Sequence, residues 1–294
     1  MSARVARVHV APAKVNLTLE VVARRPDGYH EIRSVMLRLD RLADRLRIRI
    51  DEAGDGIRIE TGLPSIPSDA SNLCWVAAKR YLERIGGNAG VDIQLDKAIP
   101  VAAGLGGGSS DAATVLLAMN RHFGEAVPMR DLAEIAAKIG KDVPFFLAGA
   151  AACLARGAGD IVRPLQSRLR GRVLVVDPGV HVATGEAYAA LAAHLRFMND
   201  DTRSNRSAAM VRAIASGDVD AVAAALYNDF EVLVERWHPL VREIRQALLA
   251  FGARGAAMSG SGPTTFGLFA SANALARAEA GITRHFPSLV VKRG

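Results

Sequence analysis

The chain has 294 residues, half of them hydrophobic and 5% aromatic, which suits a mixed α/β protein of one large domain or two that share an interface. Its formal net charge of +7 comes from arginines scattered along the chain, with no basic run and no interleaved aromatics, so nucleic acid is not an expected partner. No apolar run reaches the roughly 20 residues of a membrane span, and the start lacks an apolar block with a small-residue cleavage site, so no membrane partner and no secretory leader are expected and the cytoplasm is the default.

The first third reads as strands. In KVNLTLEVV, Val15, Leu17, Leu19 and Val21 alternate with Lys14, Asn16, Thr18 and Glu20. Pro12 interrupts the run, because Val8 and Val10 have the opposite parity, and a bulge there can re-aim Lys14. SVMLRL, RLRIRI and GIRIE follow with the same habit, separated by turn residues such as DEAGDG. SNLCWVAAKRYLERIGG predicts a helix with Ser71 or Asn72 as cap and glycine as stop. VDIQLDKAI returns to a strand, and a glycine segment then opens a helix that runs to Phe123.

A helix at MRDLAEIAAKIG, a short one at VPFFLAG and a strand pair across AACLARGAGDIVRPL come next. After RVLVVDPG, helices dominate at TGEAYAALAAHL, AAMVRAIASG and HPLVREIRQALLAFG. The end alternates GAAMSGSG, TTFGLFA, a helix at ANALARAEAGITRHF and a last strand LVVKR. No internal repeat or low-complexity linker occurs. The order is mixed rather than a strict βαβ alternation, so the expected class is α+β, with a domain boundary between residues 160 and 172. Cys74 and Cys153 are too few for a disulfide framework and not spaced for a metal site, and are expected as buried thiols.

The segment VAAGLGGGSSDAATVLL, residues 101 to 117, concentrates glycine just before a helix. A Walker A loop fails because no lysine follows the glycines, and a dinucleotide fingerprint fails because Ser109 stands where its last glycine belongs. What remains is bare backbone N–H groups and a helix N-terminus, which together bind an anion. Ser109 and Ser110 can cap the helix, donate to phosphate oxygens, or ligate Mg²⁺ through a hydroxyl. A plain glycine-rich turn with a serine cap would require fewer glycines.

These residues carry a resemblance. PVAAGLGGGSSDAA is similar to the phosphate-binding motif of the GHMP kinases, and APAKVNLTLEVVARRPDGYHE and MSGSGPTTFGLF resemble that family's first and third motifs, in the expected order. The D-G-Y-H in the first is narrower, and resembles the branch acting on 4-diphosphocytidyl-2-C-methyl-D-erythritol in the non-mevalonate isoprenoid route. The resemblance implies a two-domain fold with the active site in the interdomain cleft, the domains spanning residues 1–165 and 166–294. It implies ATP and Mg²⁺, a small-molecule substrate, a monomer or homodimer, and transfer of the γ-phosphoryl to the 2-position hydroxyl.

The resemblance also assigns roles. Lys14 and Asp142 are the implied catalytic pair, Asp142 as base and Lys14 as its electrostatic partner. From pattern alone Lys14 reads equally as a surface lysine, and Asp142 as a cap for the short helix at Val143 and Pro144. Lys141, beside it, departs from the small residue usual in the family. Pro100, Ala103, Gly104, Leu105, Gly106, Gly107, Gly108, Ser109 and Ser110 are the implied ATP-binding residues, with Ser110 also toward the metal. Asn16, Tyr29, His30, Thr184, Tyr188, Gly260 and Gly262 are the implied substrate residues, the aromatic ones for cytidine. Locally, Tyr29 and His30 also fit a turn, Thr184 a helix cap, and SGSG a hairpin connection. Asn72 and Lys97 fall toward the adenine side by family position.

Overall fold

The alternating run at residues 14–22 is the middle of a much longer strand, β1 (Arg7–Arg24), in a computed structural model that describes residues 6–195 and 205–294. Pro12 does not break it. Both faces of the strand are buried from Ala13 to Val21, so Lys14, Asn16, Thr18 and Glu20 form a buried polar face rather than a solvated one. β2 (His30–Asp51) is likewise one strand of 22 residues, where the sequence suggests two separated by a turn. Between the two runs Asp44 is fully buried and accepts from two backbone N–H groups.

Two compact units emerge, with interleaved segments. The first comprises residues up to Ala13, Leu42–Val101 and Gly106–Gly149; the second comprises Lys14–Arg41, Ala102–Leu105 and Ala150–Gly294. In the first unit the end of β2 pairs antiparallel with β4 (Gly90–Asp96), from Arg45 opposite Asp96 to Asp51 opposite Gly90. β3 (Ile57–Thr61) pairs with β4 in parallel. Leu46, Ile48 and Ile50 point inward beside Val91, Ile93 and Leu95, as period-two alternation requires. Helices α1 (Leu73–Ile85), α2 (Gly107–His122), α3 (Met129–Ile139) and α4 (Val143–Leu147) pack together in this unit. Asn72, not Ser71, caps α1 by accepting from the Cys74 N–H at 2.9 Å, and a left-handed Gly86 ends it.

In the second unit the start of β2 pairs with β5 (Ala152–Arg156), which forms a hairpin with β6 (Ile161–Leu165). A four-stranded antiparallel sheet follows the order β11-β7-β10-β9, with β7 at Arg172–Asp177, β9 at Gly255–Met258, β10 at Thr265–Phe269 and β11 at Val290–Arg293. Leu174, Val176 and Phe269 of this sheet share a core with Ile244 and Leu248 of α9 (Pro239–Ala250) and Leu275, Ala278 and Ile282 of α10 (Ala272–His285). The helices read at 184–195 and 208–217 are α5 (Thr184–Leu195) and α6 (Arg206–Ser216).

Three short elements have no counterpart in the sequence reading: α7 (Val219–Ala224), β8 (Tyr227–Asn228) and α8 (Glu231–Trp237). β8 lies parallel to β1, with Thr18 opposite Tyr227 and Leu19 opposite Asn228. The mixed class is therefore α+β. Both cysteines are buried free thiols, and burial pushes Cys153 up to about 11. Among the described residues no helix is long and apolar enough to cross a membrane. The first five residues of the segment read for a leader lie outside the described ones.

Candidate active site

The glycine segment contributes to both units, Ala102–Leu105 to the second and Gly106 onward to the first. In the second unit its carbonyls meet β1. The Lys14 N–H donates to the Leu105 carbonyl at 2.9 Å, and the Lys14 ammonium, only 3% exposed, donates to the Gly104 carbonyl at 3.0 Å and to Asn16 Oδ1 at 2.7 Å. Asn16 in turn donates through Nδ2 to Ser34 Oγ at 2.8 Å. Burial of a lysine this deep requires such partners.

The connection between β9 and β10 closes on the same carbonyl. Ser259 Oγ donates to the Gly104 carbonyl at 3.0 Å and accepts from the Asn16 N–H at 3.2 Å. Gly104 has a positive φ of 75°, and a Cβ there would lie 2.4 Å from the Ser259 carbonyl oxygen, so no other residue fits. A Cβ on Gly260 would sit 3.2 Å from the Gly104 carbonyl, which makes the approach tight from both sides. SGSG is thus a hairpin connection, and also the partner of the glycine segment. Gly262 lies in it, and Ser261 Oγ is 2.9 Å from Thr184 Oγ1 at the start of α5.

The aromatic residues gather elsewhere in this unit. His30 stacks on Tyr188 with centroids 4.8 Å apart, and Phe230 meets Tyr188 edge-on at 4.8 Å. Tyr188 rests on a core of Leu19, Val21, Ile32, Val182 and Leu191. Burial, with the nearby Arg24 charge, lowers the His30 pKa from its ordinary value, and its Nε2 is buried with no hydrogen-bond partner among the described residues. A neutral ring with an unmatched nitrogen suits the polar edge of a base. Tyr29 is 54% exposed at the tip of the turn, where its N–H bonds Asp27 Oδ1 at 3.1 Å.

In the first unit the loop becomes α2. Gly106, left-handed, is the N-cap, and no side chain caps the helix, so Ser109 and Ser110 are not caps; they stand within its first turn. The first intrahelical bond runs from the Ser110 N–H to the Gly106 carbonyl, which leaves the N–H groups of Gly107, Gly108 and Ser109 outside the ladder. Ser110 Oγ is fully buried without a partner among the described residues. Pro100 is half-buried in the irregular stretch after β4, and Ala103 and Leu105 are buried beyond it.

Beneath that first turn lies a charged trio. The Lys97 ammonium bonds Asp111 Oδ2 at 2.7 Å and Asp44 Oδ2, with all three side chains at most 5% exposed. Asp44 also accepts from the N–H groups of Ala98 and Ile99 at 2.7 and 2.8 Å. A Cβ on Gly107 would sit 3.1 Å from Lys97 Nζ, so glycine lets α2 rest on the ammonium. Burial pushes the Asp111 carboxyl up to about 7, opposed by Lys97 and assisted by the Asp44 charge. The spacing of Lys97, Asp44 and Asp111 carried no motif, and sequence reasoning missed the trio.

Asp142 holds the N-cap position of α4, yet its side chain makes no capping bond there, so the plain cap reading fails. Its loop abuts α2, since a Cβ on Gly140 would lie 3.5 Å from Ser109 Oγ.

This architecture has known relatives. Residues 72–150 match the GHMP kinases N terminal domain and residues 210–288 the GHMP kinases C terminal domain. A protein of Geobacter sp. (strain M21) named 4-diphosphocytidyl-2-C-methyl-D-erythritol kinase is 44% identical over 275 residues, 94% of each chain. A protein of Geobacter metallireducens with the same name is 41% identical over 281 residues, 96% of this chain and 95% of that one. The crystal structure of a 4-(cytidine 5'-diphospho)-2C-methyl-D-erythritol kinase aligns with a TM-score of 0.79 at 36% identity, covering 98% of both chains. The chain therefore belongs to the GHMP kinases, in the family of 4-diphosphocytidyl-2-C-methyl-D-erythritol kinases.

Proposed function

We propose that this protein transfers the γ-phosphoryl group of ATP to the 2-position hydroxyl of 4-diphosphocytidyl-2-C-methyl-D-erythritol. The observation that carries the reading is Lys14, a buried ammonium bonded to the carbonyl of the phosphate loop in a chain that shares 44% identity with a kinase of that name. The N–H groups of Gly107, Gly108 and Ser109 bind phosphate oxygens with the help of the α2 dipole. Tyr29, His30 and Tyr188 hold the cytidine, and Asn16, Thr184, Gly260 and Gly262 line the rest of the substrate path.

In the transfer the substrate oxygen attacks the γ-phosphorus while the bond to the β–γ bridging oxygen breaks and ADP departs. The hydroxyl proton passes to the Asp142 carboxylate, and Lys14 stabilises charge on the phosphoryl oxygens. Positioning and electrostatics supply most of the acceleration in such reactions, so Asp142 contributes less than the assembled donors.

Mg²⁺ fits the residues present. The Ser110 hydroxyl, without a partner among the described residues, would hold it as an oxygen ligand, with phosphates and water supplying the others. When bound it shields the negative charge of the phosphates.

The test is ADP release over a panel of alcohols. Saturable turnover with the CDP-linked methylerythritol alone is expected, whereas turnover with mevalonate or homoserine would overturn the substrate assignment. Lys14→Ala and Asp142→Ala, measured with the same substrate, test the two catalytic roles separately.

A further inference from the structure

The segment YNDFE, residues 227–231, belongs to none of the three motifs, yet it grips the residues on either side of Ser259, which shares the Gly104 carbonyl with Lys14. β8 docks it on β1, the Asp229 N–H donates to the Leu19 carbonyl at 3.0 Å, and Asp229 Oδ2 accepts from the Val21 N–H at 2.6 Å. This fixes Asn228, only 7% exposed, beside the connection between β9 and β10. Its Nδ2 donates to the Met258 carbonyl and to the Gly260 carbonyl, each at 2.8 Å. Its Oδ1 accepts from the Phe230 N–H at 2.9 Å, so every donor and one acceptor of the amide is used. Two carbonyls on one end and an N–H on the other leave a single sensible orientation of that amide. Glu231 completes the grip by accepting from the Met258 N–H at 2.9 Å.

The residue between the two gripped carbonyls is Ser259. Its hydroxyl and the Lys14 ammonium converge on one oxygen, the Gly104 carbonyl, each at 3.0 Å. We propose that Asn228 is a positioning residue for phosphoryl transfer, setting Ser259 and through it the Gly104 carbonyl against which Lys14 is aligned. The inference rests on the catalytic role of Lys14 proposed above. A site group displaced by even 1 Å loses about 100-fold in rate, so a clamp of this kind acts on kcat.

Asn228→Asp separates the two ends of the side chain. The carboxylate still accepts from Phe230 but faces two carbonyls with no hydrogen to offer. We expect kcat to fall by about 10- to 100-fold, with KM for ATP and for the cytidine substrate changing by less than kcat does. Because Asn228→Asp can also destabilise the fold, Asn228→Ala and Ser259→Ala are compared by circular dichroism and by kcat. In the double variant Asn228→Ala with Ser259→Ala, kcat should be no lower than in the weaker single, since both cut the same chain of bonds. Wild-type kcat in folded Asn228→Asp or Asn228→Ala, or losses that multiply in the double variant, would overturn the proposal. If Lys14→Ala keeps normal turnover, the reading of Lys14 itself fails. If Lys14→Ala is inactive and the Asn228 variants are normal, only the positioning role fails.

Discussion

The two ends of the glycine segment meet lysines in different settings. In the first unit the start of α2 lies on Asp44, Lys97 and Asp111, two carboxylates about one ammonium. In the second unit the Lys14 ammonium bonds the Asn16 side-chain oxygen and the Gly104 carbonyl. A buried ion trio is stiff and costly to break, because each member is stranded without the others. Lys14 instead bonds the backbone of the glycine segment itself. The comparison teaches that burial of a lysine says little about its task until its partners are known.

Substitutions that treat the two lysines alike should separate them. Lys97→Met should lower unfolding stability by about 3–5 kcal/mol, as measured by urea denaturation, because two buried carboxylates lose their counterion. Should Lys97→Met prove nearly neutral, the trio is not the support described. Lys14→Met should lower kcat by about 100- to 1,000-fold, a loss of about 2.7–4 kcal/mol of transition-state stabilisation. Its thermal midpoint should move far less than that of Lys97→Met, and equal shifts would erase the distinction.

Gly104→Ala probes the Lys14 side through the backbone. The added methyl must escape the Ser259 carbonyl from a left-handed conformation, and the strain should cost about 1–3 kcal/mol with a parallel fall in kcat. Unchanged kinetics would mean that the loop tolerates movement at Gly104.

The smallest effect is a pH dependence on the Lys97 side. With its carboxyl lifted to about 7, folded Asp111 holds a proton more tightly than the unfolded chain does. Its contribution to stability is therefore present below about pH 4 and is lost as pH rises through about 7. Asp111→Asn should flatten the decline in urea midpoint between about pH 5 and pH 8. An identical decline in the variant would show that another group titrates there.

Much of this could be read from the chain itself, for local reasons. The Asn72 cap, the glycine stop of α1 and the opening of α2 depend on neighbours a few residues away. The buried polar face of β1 could not be read that way. Alternation of Lys14, Asn16, Thr18 and Glu20 with apolar residues looks like a half-solvated strand, and their partners are remote in sequence. Thr18 meets Ser207 at 2.9 Å, and Glu20 accepts from the Arg206 and Ser207 N–H groups at 3.0 and 2.8 Å. Asp44 belongs with them, since its partner Lys97 and the N–H groups of Ala98 and Ile99 are also remote in sequence. Asn228 escaped notice because a two-residue strand leaves no periodicity to detect. The roles proposed for Lys14 and Asp142 come from the family's motif order rather than from their surroundings.

The seating of Gly107 on Lys97 also constrains how this loop can evolve. A side chain at position 107 must displace the Lys97 ammonium by a few tenths of an ångström, which loosens its fit to Asp44 and Asp111. Replacing either aspartate leaves Lys97 with half of its counter-charge. Substitutions at these four positions are therefore expected to be epistatic rather than additive.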